Sequence, residues 1–165
     1  PSARVDVVRE WKKMRMIKAF AAIAAMIFIA ACGDDQQAAA PATTSVTPGS
    51  VADFRQNVGD RVFFDTDQST IREDGRQTLN RQAEWLKKYG NYQITVEGHC
   101  DERGTREYNL ALGERRANAA RQYLVAQGIP AARIKTISFG KERPDPVGSD
   151  EAAWARNRRA VSALQ

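Results

Sequence analysis

The clearest pattern in the chain is a strict alternation. Tyr92, Ile94 and Val96 are separated by Gln93, Thr95 and Glu97, as in a strand with one buried face. Upstream, the aromatic and β-branched run Arg61-Val62-Phe63-Phe64-Asp65 predicts another strand. Between the two, Leu79, Ala83 and Leu86 recur at spacings of four and three, which predicts a helix. The capping box Thr70-Ile71-Arg72-Glu73 should open that helix, which runs to about Tyr89 and is stopped by Gly90. A second helix is predicted from near Arg106 to Gly128, then a strand over Ile134 to Phe139, a short helix over Glu151 to Arg156 and a last strand over Arg159 to Leu164. The order β-α-β-α-β-α-β predicts an α/β (α+β) two-layer sandwich, a mixed β-sheet with helices packed on one face. Residues 51–165 carry all of this periodicity and suffice for a stable core without disulfides.

The first fifty residues follow another pattern. Lys12, Lys13, Arg15 and Lys18 precede a 13-residue uncharged run from Ala19 to Ala31. As a helix it would span about 20 Å, short of the ~30 Å hydrocarbon core, so it reads as the apolar part of an export signal over residues 1–31. A short buried helix is the blander reading, but the run has no polar face. Met14 or Met16 would then be the natural start, with residues 1–13 upstream of it. The run ends in Ile29-Ala30-Ala31-Cys32, which resembles the lipobox of bacterial lipoproteins: small residues ahead of a thiol that accepts a lipid. Acylated Cys32 would anchor the chain in a bilayer. The resemblance also implies outer-membrane sorting, because Gly33 follows the cysteine where an inner-membrane retention signal has Asp. The stretch 34–50, DDQQAAAPATTSVTPGS, has too little apolar surface to order itself, so residues 32–50 read as lipidated cysteine and flexible tether.

Composition removes several function classes. The net charge of +5 invites a nucleic-acid reading. Yet residues 1–31 hold six Lys or Arg against Asp6 and Glu10, leaving 19 against 18 in residues 32–165. The basicity belongs to the leader, and no nucleic-acid partner is expected, most of Arg115, Arg116, Arg158 and Arg159 being read as ordinary solvated positions. Two cysteines build no disulfide framework and one histidine supplies no multi-histidine metal site, so no metal or cofactor is expected.

The second helix carries a charged residue where an apolar one belongs. At about 100° per residue, Leu110, Leu112, Ala117, Ala120, Tyr123 and Leu124 share one arc, while Glu114, Arg115, Asn118, Arg121 and Gln122 lie opposite. Arg116 falls inside the apolar arc, beside Asn109, with Gly113 between them. A guanidinium there must snorkel out or meet an anion. Asn109 and Arg116 are about 10.5 Å apart along the axis, and the gap at Gly113 reads as the floor of a site for a small polar ligand. Equally, Arg116 could pair with an internal carboxylate and only brace the fold. The preceding loop, Gly98-His99-Cys100-Asp101-Glu102-Arg103-Gly104, favours the site, since glycines and dense ionisable groups after a strand suit a binding loop. Asp101 facing Arg116 across a pocket would suit a zwitterion. Cys100 reads as a small buried packer rather than a nucleophile.

VFFDTDQSTI (62–71), VEGHCDERGTREYNLALGERRANA (96–119), SFGKERP (138–144) and DEAAWARNRRAV (150–161) resemble the OmpA-like domain family, in its branch of lipoproteins that serve the Tol system. The resemblance implies non-covalent binding of peptidoglycan through the meso-diaminopimelate of the stem peptide, no catalysis, and TolB with the Tol complex as partners in envelope integrity and division. It implies an outer-membrane lipoprotein with its domain in the periplasm. It assigns Asp101 to the ligand ammonium and Arg116 to a ligand carboxylate. Phe64, Asp65 and Asp67 match the pocket motif at the end of the first strand, Asn109 the helix asparagine, and Asn157 with Arg159 the supporting block near the C-terminus. The chain departs from many relatives in having Gly113 for a serine and Cys100 for Ala or Thr. The competing reading is a cell-wall hydrolase using His99, Asp101 and Glu102, against which stands the lack of a second His or a Ser-His-Asp set.

Overall fold

The computed structural model describes residues 46–165. The leader, Cys32 and residues 32–45 lie outside the described residues. Gly49 and Ser50, expected to belong to the tether, are bonded to the domain. The Tyr92 hydroxyl donates to the Gly49 carbonyl at 2.8 Å, and Ser50 Oγ accepts from the N–H of Asp53. Ser50 thereby caps a short helix, α1 (Val51–Asp53), which opens into a wide turn over Phe54–Val58. This segment has no periodicity and was not expected; its anchor is Phe54, fully buried with its ring 5.0 Å from that of Trp85.

The remaining elements follow the expected order: β1 (Arg61–Phe63), α2 (Glu73–Lys88), β2 (Ile94–His99), α3 (Arg106–Ala126), a 3-10 turn (Ala131–Arg133), β3 (Ile134–Gly140), α4 (Glu151–Asn157) and β4 (Arg159–Leu164). The strands form one mixed sheet in the order β1-β4-β2-β3, with β4 antiparallel to β1 and β2, and β2 parallel to β3. Leu79, Ala83 and Leu86 of α2 and Ala117, Ala120 and Leu124 of α3 share one apolar cluster with Val62, Ile94, Val96, Ile134 and Ala160 of the strands. A polar bridge crosses that layer: Ser162 Oγ donates to Gln82 Oε1 at 2.8 Å, and Gln82 Nε2 donates to the Gly59 carbonyl.

Two local expectations need correction. The Thr70–Glu73 capping box does not form: α2 begins at Glu73 after Arg72, with no side-chain cap on Arg72. Residues 65–68 are instead held by Arg116 through their carbonyls, a tertiary contact that overrides the local signal. Leu110, placed on the buried arc, is 44% exposed.

The seam between α3 and β2 sets the position of everything functional. A Cβ at Gly98 would lie 1.8 Å from the Gly113 carbonyl oxygen, and one at Gly113 would lie 2.4 Å from Ser138 Oγ. Backbone therefore meets backbone there. Gly113 leaves no gap for a ligand, contrary to the sequence reading; its missing side chain lets the helix settle on the strand.

Candidate functional site

Beyond the end of β2 the chain turns through residues 100–105 before α3 starts. Thr105 caps that helix by accepting from the N–H of Tyr108. Gly104 sits at φ +88°, a conformation that favours glycine. Asn109, buried on the first turn of α3, donates from Nδ2 to the carbonyls of Arg103 at 2.7 Å and Thr105 at 3.0 Å. Lys141 reaches across to the carbonyls of Glu102 and Gly104. The loop is thus held from two sides by side chains bonding its backbone.

This frame aims Asp101 into a surface pocket of about 240 Å³ lined by Thr66, Asp67, Asp101, Arg103, Gly104 and Tyr108. That is below the roughly 300–1,000 Å³ typical of sites for drug-sized ligands, and suits the charged end of a longer molecule. Asp67 lines the wall at φ +56°, a left-handed conformation to which aspartate is among the better adapted residues. The Asp101 carboxylate accepts from Arg103 Nη2 at 2.7 Å, Arg103 Nε at 3.2 Å, the Arg103 N–H at 3.1 Å and Arg158 Nη1 at 3.4 Å. Burial pushes its acidity down, but the bonds from Arg103 and Arg158 outweigh it and hold the carboxyl below the usual aspartate range.

Arg116 is fully buried, as its place on the helix requires. It neither snorkels nor pairs with a carboxylate. Its Nε donates to the Gln68 carbonyl at 2.8 Å, Nη1 to His99 at 2.9 Å and Nη2 to Asp65 at 3.1 Å, and the ring of Phe64 lies 5.2 Å from the guanidinium. Those bonds use three of its five N–H groups. Burial lowers its pKa, the charge of Asp101 working against that. One guanidinium therefore ties the loop after β1, the end of β2 and the middle of α3 together, beneath the pocket rather than on its wall.

The structure sorts the other expected residues. Asp67 and Asp101 line the pocket, and Asn109 braces its loop. Phe64 is buried under Arg116, while the Asp65 side chain is exposed and meets Arg72 at 3.4 Å, so neither lines the pocket. Asn157 and Arg159 are also displaced from the expected site. Asn157 accepts from the Asp145 N–H and donates to the Pro146 carbonyl, while Arg159 donates to Asn157 and to the Arg143 carbonyl, so both brace residues 143–146. The neighbouring Arg158 is the one that reaches Asp101, bonding also the Phe64 carbonyl and Glu151. Sequence reasoning missed Arg158 and Arg103. For Arg158 the one signal was its place next to Arg159 at the start of β4, where neighbouring side chains leave the backbone on opposite sides; Arg103, in a loop, offered none.

The dense patch His99-Cys100-Asp101-Glu102 comes apart in three dimensions. Neither ring nitrogen of His99 has a hydrogen-bond partner among the described residues, so it makes no catalytic pair with Asp101 or Glu102. Cys100 is buried, its thiol donates to the Asn109 carbonyl, and burial pushes its pKa up to about 11. Glu102 accepts from the indole of Trp154. Among the described residues no three His, Cys, Asp or Glu side chains converge as metal ligands do.

Comparison with known proteins joins this geometry to a family. The OmpA family pattern matches residues 63–158. The chain is 65% identical over 120 residues to a peptidoglycan-associated lipoprotein of Agrobacterium fabrum, covering 73% of this chain and 68% of that one. It is 54% identical over 149 residues to one of Mesorhizobium japonicum, covering 87% and 89%. The crystal structure of the peptidoglycan-associated lipoprotein from Burkholderia pseudomallei superposes with a TM-score of 0.64 at 40% identity, covering 67% of this chain and 96% of that one. The chain therefore belongs to the OmpA family and, within it, to the peptidoglycan-associated lipoproteins.

Proposed function

We propose that the domain grips peptidoglycan without covalent chemistry, taking the free amino-acid end of a meso-diaminopimelate residue into the pocket at Asp101. One observation carries this: a carboxylate inside a small pocket, fixed by its loop and surrounded by guanidinium groups. Such a site offers an anion to an ammonium group and cations to the carboxylate on the same carbon. The ammonium goes to Asp101, with Asp67 beside it. Arg116 supplies buried positive potential and holds the 65–68 loop in place; direct contact with a ligand requires that loop to yield. Asn109 keeps the 100–105 loop in register, and Phe64, Asp65, Asn157 and Arg159 act through the scaffold. In the same reading Cys32 carries the lipid anchor, residues 33–45 provide reach from the outer membrane, and TolB with the Tol complex are the protein partners. Family membership supports these parts.

The test is cosedimentation with purified sacculi. Wild-type chain should pellet with the wall and release no soluble muropeptides, and Asp101→Ala, folded by circular dichroism, should stay in solution. Folded Asp101→Ala that still pellets defeats the site, and released muropeptides would make the domain a hydrolase.

A further inference from the structure

Arg103 forms a nearly complete ion pair with the carboxylate that the proposed ligand needs. Its Nη2 and Nε hold the two oxygens of Asp101 at 2.7 and 3.2 Å. Yet it is not buried: its side chain is 40% exposed, against 9% for Asp101. Its second support is the ring of Trp154, 4.3 Å from the guanidinium carbon, and that indole is fixed by donating to Glu102 at 3.0 Å. Asp101 has another cation, Arg158, which is itself buried and bonded to Phe64 and Glu151. Of the two arginines on Asp101, one is built into the scaffold and the other is mobile at low cost, parked on an aromatic face from which it can leave the carboxylate without losing its stacking.

We infer that Arg103 is a resident stand-in for the ligand's ammonium group, exchanged on binding, and that this exchange selects ligands bearing both charges. The inference rests on the reading of the pocket as a diaminopimelate site. An incoming ammonium must displace Arg103 from Asp101. A ligand carrying only an ammonium leaves the displaced guanidinium with no carboxylate bonded to it, Glu151 and Asp67 acting only from a distance. A ligand carrying a carboxylate on the same carbon returns an anion to it, so both charge-assisted contacts are restored. Arg103 is then the residue that distinguishes diaminopimelate from lysine, whose side chain ends in the same ammonium without the carboxylate.

The experiment compares two tripeptides, L-alanyl-D-glutamyl-meso-diaminopimelate and the same peptide with L-lysine in third place, titrated calorimetrically into the full chain. Wild type should prefer the diaminopimelate peptide by roughly tenfold or more, one charge-assisted bond's worth. Arg103→Gln should bring the ratio close to one, weakening the diaminopimelate peptide and sparing or strengthening the lysine peptide, because the competitor for Asp101 is gone. Arg103→Lys should recover part of the preference. A general loss of structure would weaken both peptides together and leave the ratio unchanged. Tryptophan fluorescence gives a second readout: the diaminopimelate peptide should change the emission of wild type, but neither that of Arg103→Gln nor that of Trp154→Phe, in which only Trp11 and Trp85 remain. An unchanged ratio in Arg103→Gln, with the lysine peptide bound as tightly as by wild type, overturns the exchange while leaving the site intact. Failure of wild type to bind either peptide overturns the diaminopimelate reading itself.

Discussion

His99 and Asp101 stand two residues apart at the end of β2 and reach regions of opposite character. Both are buried and both are surrounded by arginines. Asp101 turns into the pocket, where its carboxylate is bonded by Arg103 and Arg158. His99 turns towards Phe139, 5.5 Å away, near Arg159, Arg143 and Arg61, and both its ring nitrogens lack hydrogen-bond partners among the described residues. Burial first, and these cations second, lower its pKa to about 4. The Asp145 carboxylate pulls the other way, while Glu97, 3.5 Å from Nε2, is partly exposed and makes no hydrogen bond there. The difference shows that density of ionisable groups does not mark a site. On one face the charges are bonded to one another around open space; on the other, an imidazole is packed as if it were an apolar ring.

The largest effect should come where both regions meet, at the seam between α3 and β2. Gly98→Ala puts a Cβ against the Gly113 carbonyl oxygen, a backbone atom that cannot rotate away. It should cost about 3 kcal/mol or more, seen as a collapse of the denaturation midpoint, with pocket and His99 region lost together. A mild change would mean that the helix can slide and the two faces are not rigidly coupled.

Next in size, Arg116→Met should sharpen the contrast between the faces. It leaves the carbonyls of Asp65, Gln68 and His99 without their donor, at a cost of about 2–3 kcal/mol after the gain from an apolar side chain. Arg116→Lys should restore little, because one ammonium cannot reproduce a fork spread over three directions. Hydrogen exchange should show protection lost first in residues 64–69, with residues 143–147 unaffected; equal loss in both would show the faces to be one unit.

The smallest effect is the pH response of the His99 side. Its pKa is lower in the fold than the ordinary 6.5, so the unfolded chain binds the proton more readily between those values. Stability is therefore fully present above pH 6.5 and is lost as pH falls towards 4, by about 2 kcal/mol at around pH 5. The depressed Asp101 carboxyl adds its own loss only below the ordinary aspartate value. Denaturation midpoints from pH 4 to 7 should flatten in His99→Phe; a slope that persists would assign the titration elsewhere.

These contrasts also show what the sequence could reveal. Alternation along Ile94–Val96 and the run Arg159–Leu164 located two strands, because burial on one face writes itself into every second residue. Arg116 stood out on the helical wheel and is indeed buried. Its partners were invisible, since backbone carbonyls leave no trace in residue identity. The same holds for the absent cap on α2, where Thr70 and Glu73 lost to a contact made from 48 residues away. Whether Arg158 or Arg159 faces Asp101 depends on where α4 stops and β4 starts, a boundary that shifting by one residue would reverse. The gap expected at Gly113 failed because a glycine marks closeness as readily as emptiness, and only Gly98 opposite decides which.

The clasp at the start of the domain has a mechanical consequence. Gly49 lies against Tyr89 and Tyr92, just ahead of β2, while Asp101 follows its other end. Tension applied through the residues before Val46 and resisted by a molecule seated at Asp101 would run lengthwise along a six-residue strand, about 20 Å long. With β4 on one side and β3 on the other, that strand would be loaded in shear, its ladder bonds sharing the force rather than unzipping singly.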